Sequence, residues 1–297
     1  MTKPDASKTF SMPKDTLHFE MLGIRVQVQF ACQRTQLRVA DHLSAHLHPP
    51  QEQSPNILVR LTEPLEDDRF RYLFRAQPEG VVQGMGAFIF YHGLADWEPW
   101  NHADPVLIPY AMPALRDRFV ALHAASVVSP RSGRATLLMG QKCAGKTTTA
   151  LDLNKKYDWP MLTDETAVID AWSKQCWALM RPPHVTNAYP ANRVTKAYIG
   201  HDEMADINVA TDPAPIARIV ELIQAPGLNA PYVEKIDTTD AKVATTFAHT
   251  LAFGSAAGTV ARTVMALSQK AEVMRVMHGG FPQLTEVAKF LEAHDAG

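Results

Sequence analysis

Cysteine is scarce in this chain: Cys32, Cys143 and Cys176 are its whole complement in 297 residues. Three scattered thiols cannot build a disulfide framework, and none lies in the close C-x-x-C pairing of a structural zinc site, so a reducing compartment fits best. Long apolar runs are missing too. No window approaches the roughly 18 uninterrupted apolar residues of a membrane helix, and the opening stretch MTKPDASKTFSMPKD lacks a secretory h-region. A cytoplasmic protein with no membrane partner is therefore expected. Nor is there an excess of basic charge, since the formal net charge is −2, which argues against nucleic acid as a partner. Repeats and low-complexity tracts are absent from the sequence.

What is present suffices for a full core: 46% of residues are apolar and 20% charged, over a length that makes two domains the natural expectation. Alternation around Gly23 in FEMLGIRVQVQF, with Ile24, Val26, Val28 and Phe30 on one face, predicts a hairpin. A helical stretch is expected around Gln36–Leu47, then strands at Ile57–Leu61, Phe70–Phe74 and Ala87–Tyr91. The segment DWEPWNHADPVLIPYAMP carries four prolines, which disfavour regular structure and place a domain junction near residue 110. Residues 1–110 then form a small sheet-rich α/β domain and 111–297 a mixed α/β domain. In the second, the pattern predicts a short helix at Ala114–Ala121, strands at Ala124–Val128 and Ala135–Met139 around the turn SPRSGR, a helix over Thr147–Lys156, and a strand at Trp159–Thr163. Strands follow at Thr166–Ala171, Cys176–Leu179 and Ile216–Ile223, and helices occupy the last fifty residues.

Residues 140–147 read GQKCAGKT, a complete G-x-x-x-x-G-K-[ST] motif between an apolar strand and a helix. Glycines at 140 and 145 let successive backbone N–H groups turn toward phosphate oxygens, and the helix that follows adds its positive end. Gly140, Cys143, Ala144, Gly145, Lys146, Thr147 and Thr148 are the expected nucleotide contacts. Lys146 would neutralise the β and γ phosphates, and the Thr147 hydroxyl would ligate Mg²⁺. Cys143 offers a thiol inside the loop, but a small residue used through its backbone is the simpler account.

The strand WPMLTDE ends on Asp164 and Glu165, too soon after Lys146 for the Walker-B arrangement of motor ATPases. The stretch HAASVVSPRSGRATLLMGQKCAGKTTTALDLNKKYDWPMLTDETAVID instead resembles the core of the HPr kinase/phosphorylase family and its HPr-kinase-like relatives. In that family a histidine opens the strand before the loop and an Asp-Asp pair closes the strand after the loop helix. The resemblance implies a P-loop kinase core of the HPr kinase/phosphoenolpyruvate carboxykinase type, with ATP or GTP and Mg²⁺ as cofactors. It further implies Asp164 as general base, His123 as its support, Lys146 as the catalytic cation, and Thr147, Asp164 and Glu165 at the metal. A Glu-Val-Arg-Gly-like signature is missing, and RPPHVTNAYPANR stands in its place. Glu165 for the second Asp is similar to the HPr-kinase-like enzymes that tailor peptides, lasso-peptide kinases among them.

Other residues have plainer readings. His42, His46 and His48 read as a solvated helix end rather than a metal site, and Trp97 and Trp100 as packing anchors. Arg181, Arg193 and Arg262 are candidate phosphate clamps among which spacing does not choose. The leading expectation is an ATP-dependent serine kinase whose partner is a peptide or protein bearing a serine hydroxyl, with homo-oligomer formation left open. The alternatives are a small-molecule or carboxykinase-like phosphotransferase, and a non-catalytic nucleotide-sensing regulator.

Overall fold

The computed structural model describes residues 15–30, 43–50, 57–61, 87–91, 118–186, 196–199, 201–237 and 257–295, with positions 33, 36, 37 and 40. The chain divides into two compact units, Met1–Leu107 and Ile108–Gly297, each with its own sheet.

In the first unit β1 (Asp15–Met21) and β2 (Ile24–Phe30) pair antiparallel. They turn at Leu22 and Gly23, both in the left-handed region with φ 54° and 68°, the backbone of a tight hairpin whose twist matches its strands. Phe19, Val26, Val28 and Phe30 are buried, as the alternation predicts. The parallel strands β3 (Ile57–Leu61) and β4 (Ala87–Tyr91) extend the sheet in the order β1-β2-β3-β4. Ser44–His46 form a 3-10 turn within the helical stretch expected there. The strand expected at Phe70–Phe74, together with His42, Trp97, Trp100 and Arg193, lies outside the described residues.

The second unit opens with β5 (Phe119–Leu122), β6 (Ala125–Val128) and β7 (Ala135–Met139). The helix expected at Ala114–Ala121 is thus corrected from residue 119 on, where the four residues of β5 stand. All four are fully buried and pair along a strand edge, and a helix this short would leave one face in water. The loop helix α1 (Lys146–Tyr157) follows, then β8 (Met161–Thr163), β9 (Ala167–Asp170), β10 (Gln175–Trp177) and the small pair β11 (His184–Thr186) and β12 (Lys196–Tyr198). A single turn, α2 (His201–Ala205), precedes β13 (Ala214–Gln224) and β14 (Tyr232–Lys235). The chain closes with α3 (Ala257–Lys270), β15 (Glu272–His278) and α4 (Leu284–Ala293).

The expectation of helices throughout the last fifty residues is corrected by β15. EVMRVMH buries Val273, Met274, Val276 and His278 and inserts between β13 and β14; the flanking helices retain their 3.6-residue spacing. Among the described residues the strands of this unit other than β11 and β12 form one large mixed sheet, ordered β5-β9-β10-β13-β7-β6-β8, with β15 on β13 and β14 on β15. Strand β13 leaves β10 after Pro215 and runs on between β7 and β15, parallel to both. Glu221 and Arg275 face each other across β13 and β15, Oε2 to Nη2 at 2.7 Å. Leu122, Leu137, Met139, Leu162, Ile169, Ile219 and Val273 form the centre of the core.

Candidate active site

Strand register brings the expected site residues to one edge of this sheet. Strands β7, β13 and β15 are parallel and end at Met139, Gln224 and His278. Strand β6 is antiparallel to both β7 and β8, so β8 also ends on that edge, where Asp164 follows Thr163. His123 precedes β6 at the same edge, half-buried. The carboxyl ends of parallel strands are where open α/β sheets receive ligands.

The loop leaves β7 at Gly140, whose φ of 137° and closeness to the Leu222 backbone both demand glycine: a Cβ there would lie 2.3 Å from the Leu222 oxygen. Cys143 takes φ 66° and Gly145 φ 91°, and a Cβ on Gly145 would meet Leu284 Cδ2 at 2.6 Å. Ala144 N–H donates to the Gln141 oxygen at 3.1 Å, closing the turn. Helix α1 begins at once, with Gly145 as its N-cap and no side-chain cap, which leaves its first N–H groups facing the loop. Lys146 is buried and its Nζ donates to the oxygens of Gly140 at 2.9 Å and Gln141 at 3.0 Å. Thr147 and Thr148 are half-buried on the first turn.

The Thr147 hydroxyl donates to Oδ1 of Asp164 at 2.9 Å. Asp164 is buried and its Oδ2 has no hydrogen-bond partner, a cost that native proteins seldom carry without a use for it. Burial and the neighbouring Glu165 charge raise the Asp164 pKa, against the Thr147 hydrogen bond and the charges of Arg181 and Lys146. Glu165 goes the other way. Burial pushes it upward, but the His184 hydrogen bond and the charges of Arg181, His184 and His123 outweigh that and hold it well below the carboxylate range. Its Oε1 lies 3.3 Å from His184 Nδ1 and its Oε2 3.7 Å from Arg181 Nη2, at a residue whose own φ is 63°.

The donor set suits a magnesium ion. Among the described residues no three His, Cys, Asp or Glu side chains gather around one point, and Mg²⁺ is bound through one or two carboxylates, a hydroxyl and phosphate oxygens rather than a protein cage. Thr147 and the unpartnered oxygen of Asp164 provide that minimal set.

Two further residues join this edge. Strand β8 and Leu179 form a parallel bridge at Thr163, with Leu179 N–H donating to the Leu162 oxygen at 2.9 Å. Two residues further along each segment stand Glu165 and Arg181. Of the candidate arginines within the described residues, Arg181 is buried beside the acidic pair, whereas Arg262 is exposed on α3 and reaches Thr259 at 3.3 Å. His184 arrives three positions later, on β11. Of the histidine cluster, His46 is buried and exposed His48 lies 3.9 Å from Glu20.

No family model matches the chain, and no curated protein does. Among solved structures, the Hpr(Ser) kinase/phosphatase from Coxiella burnetii aligns with 59% of this chain and 89% of its own, at 11% identity and a TM-score of 0.31. At that distance the likeness carries no argument about individual residues. No helix among the described residues is long and apolar enough to cross a membrane.

Proposed function

We propose that this chain is a Mg²⁺-dependent phosphotransferase that moves the γ-phosphoryl group of ATP or GTP to a serine hydroxyl of a peptide or protein. The observation that carries the reading is the 2.9 Å hydrogen bond from Thr147 to Asp164, which joins the residue after the loop lysine to the acid at the end of β8. A glycine turn matching the motif by chance has no reason to place a buried carboxylate there.

The loop N–H groups and Lys146 bind the phosphates and offset charge on the transferring group. Thr147 and Asp164 would hold the ion, with Glu165 as an adjoining negative charge. A bound Mg²⁺ supplies Lewis-acid neutralisation of phosphate oxygens. The serine oxygen forms the new bond to the γ-phosphorus, the bond from that phosphorus to the β–γ bridging oxygen breaks, and the nucleoside diphosphate leaves. Asp164 takes the serine proton. Its raised pKa makes it the better base of the pair, while the lowered pKa of Glu165 keeps that neighbour ionised, the divergence by which environment divides roles between adjacent acids. His123 adds positive charge near Glu165 and supports the arrangement.

The test is incubation with γ-labelled ATP, Mg²⁺ and a panel of peptide, protein and small-molecule acceptors, read by mass spectrometry. Phosphoserine on a peptide or protein, lost in Lys146→Ala and Asp164→Asn, is the expected result. Label on a small molecule moves the substrate class to the carboxykinase-like alternative. Tight nucleotide binding with no transfer and no hydrolysis would make the protein a nucleotide sensor.

A further inference from the structure

A histidine far from the motif grips the loop. His278, the last residue of β15, is buried, and its Nε2 lies 3.0 Å from the backbone oxygen of Ala144. A carbonyl only accepts, so Nε2 carries the proton and donates. Nδ1 of the same ring is buried without a partner. A core position that needed only to be filled would be served by a leucine without that uncompensated atom. The backbone that carries the ring is itself held: the His278 backbone oxygen accepts from Ala225 N–H at 2.8 Å, and Gly279 N–H donates to Gln283 Oε1 at 2.7 Å.

We propose that His278 is a positioning residue of the nucleotide loop, a role that rests on the phosphotransferase reading of that loop. In a planar trans peptide the C=O of one residue and the N–H of the next point in opposite directions. Holding the Ala144 oxygen toward His278 therefore turns the Gly145 N–H away from β15. Gly145 is the glycine that precedes the loop lysine, and its N–H is among the donors that a phosphate would meet. Leu284 packs against the same residue. Ala144 and Gly145 are thus clamped by a hydrogen bond from the end of β15 and by an apolar side chain from the start of α4. Without His278 this peptide plane is free to rotate, and binding must then order it.

The experiment compares wild type, His278→Phe and His278→Gln. Phenylalanine fills the space without a donor, and glutamine places an amide N–H near the position of Nε2. Three readouts are taken: Mg-ATP affinity by calorimetry, amide hydrogen exchange of the peptide spanning 140–147 without nucleotide, and thermal midpoint. His278→Phe is expected to exchange faster in the loop and to bind Mg-ATP roughly tenfold more weakly, the scale of a buried carbonyl stripped of its donor. His278→Gln is expected to restore most of both. A folded His278→Phe that binds within twofold of wild type with unchanged loop exchange would overturn the proposal. Should His278→Phe fail to fold, His278→Asn, whose shorter amide cannot reach, replaces it against His278→Gln; equal affinities for these two also overturn it. Wild type that binds no Mg-ATP sinks the phosphotransferase reading as well, whereas binding by wild type with an indifferent His278 removes this proposal alone.

Discussion

Nδ1 of His184 stands 3.3 Å from Oε1 of Glu165, and this contact separates the behaviour of two adjacent carboxylates. Glu165, held by His184 and Arg181, ionises readily, while Asp164, buried beside that charge with Thr147 on one oxygen, resists ionisation. A carboxyl whose folded pKa is raised holds its proton more tightly in the folded than in the unfolded state. Its contribution to stability is present at acid pH and lost as pH rises through the raised value.

Asp164→Asn should therefore be more stable than wild type at pH 7 to 8, and the gain should shrink toward pH 4. Each kcal/mol appears as about 2–4 °C in a domain of this size. Phosphoryl transfer should fall by about 10²–10⁴-fold, the usual contribution of a general base, with nucleotide affinity largely kept. Thermal melts across pH with parallel turnover assays check both halves. A variant that melts lower than wild type at pH 8 would contradict the burial account of Asp164.

Gly140→Ala is expected to damage the loop more than any neighbouring exposed substitution. The new methyl would press on the Leu222 backbone oxygen, which has no flexible side chain to move aside, in a conformation that alone costs about 1–3 kcal/mol. A lowered melting temperature together with weakened Mg-ATP binding is the expected pair of results. Unchanged values for both would mean that the close approach to Leu222 does not exist in solution.

The thiols should separate cleanly. Burial pushes the Cys176 thiol up to about 12, so it should label with iodoacetamide only after denaturation, because the thiolate is the reacting form. Cys143 is half-buried within the loop and should label in the native protein, more slowly when Mg-ATP is present. Peptide mapping by mass spectrometry distinguishes the two sites.

Glu272 links Arg218 and Lys235, Oε2 to Nε at 3.2 Å and Oε1 to Nζ at 3.1 Å. Partial burial pushes its pKa up, but the hydrogen bonds and charges of Lys235 and Arg218 bring it below the ordinary value. A depressed pKa contributes stability above the unfolded value that is lost as pH falls through the folded one. Glu272→Gln should cost no more than about 1 kcal/mol at pH 7, as part-exposed ion pairs do. The gap should narrow as pH falls below the ordinary carboxylate value and close only below the depressed folded one. Denaturant titrations at pH 7 and pH 3.5 make the comparison.

Local signals were legible wherever one element could report on itself. The hairpin at Gly23, the apolar run of β7, the glycine loop and α1 are each a contiguous pattern, and each stands where the residues predict it. Strand β5 was not legible as a strand, because four apolar residues fit a buried helix as well as a buried strand until β9 supplies the partner. β15 was hidden between two amphipathic helices in a stretch too short to break their rhythm. Arg181 was legible only as one of three candidate arginines, and His184 and His278 not at all, for another reason. Their roles depend on the Thr163–Leu179 bridge and on β15 joining β13, pairings between segments that no local pattern announces.

The loop's supports also fix an order of events during synthesis. Gly140 rests on Leu222, Ala144 on His278 and Gly145 on Leu284; the histidine lies 134 positions after the alanine that it holds. A nascent chain that has emerged only as far as α1 has the motif but none of the surfaces that shape it, and such distant contacts form late because closing long loops is costly. The loop would then take its shape only once β15 and the start of α4 have been made, so a product truncated before them would carry the glycine motif without the contacts that hold it.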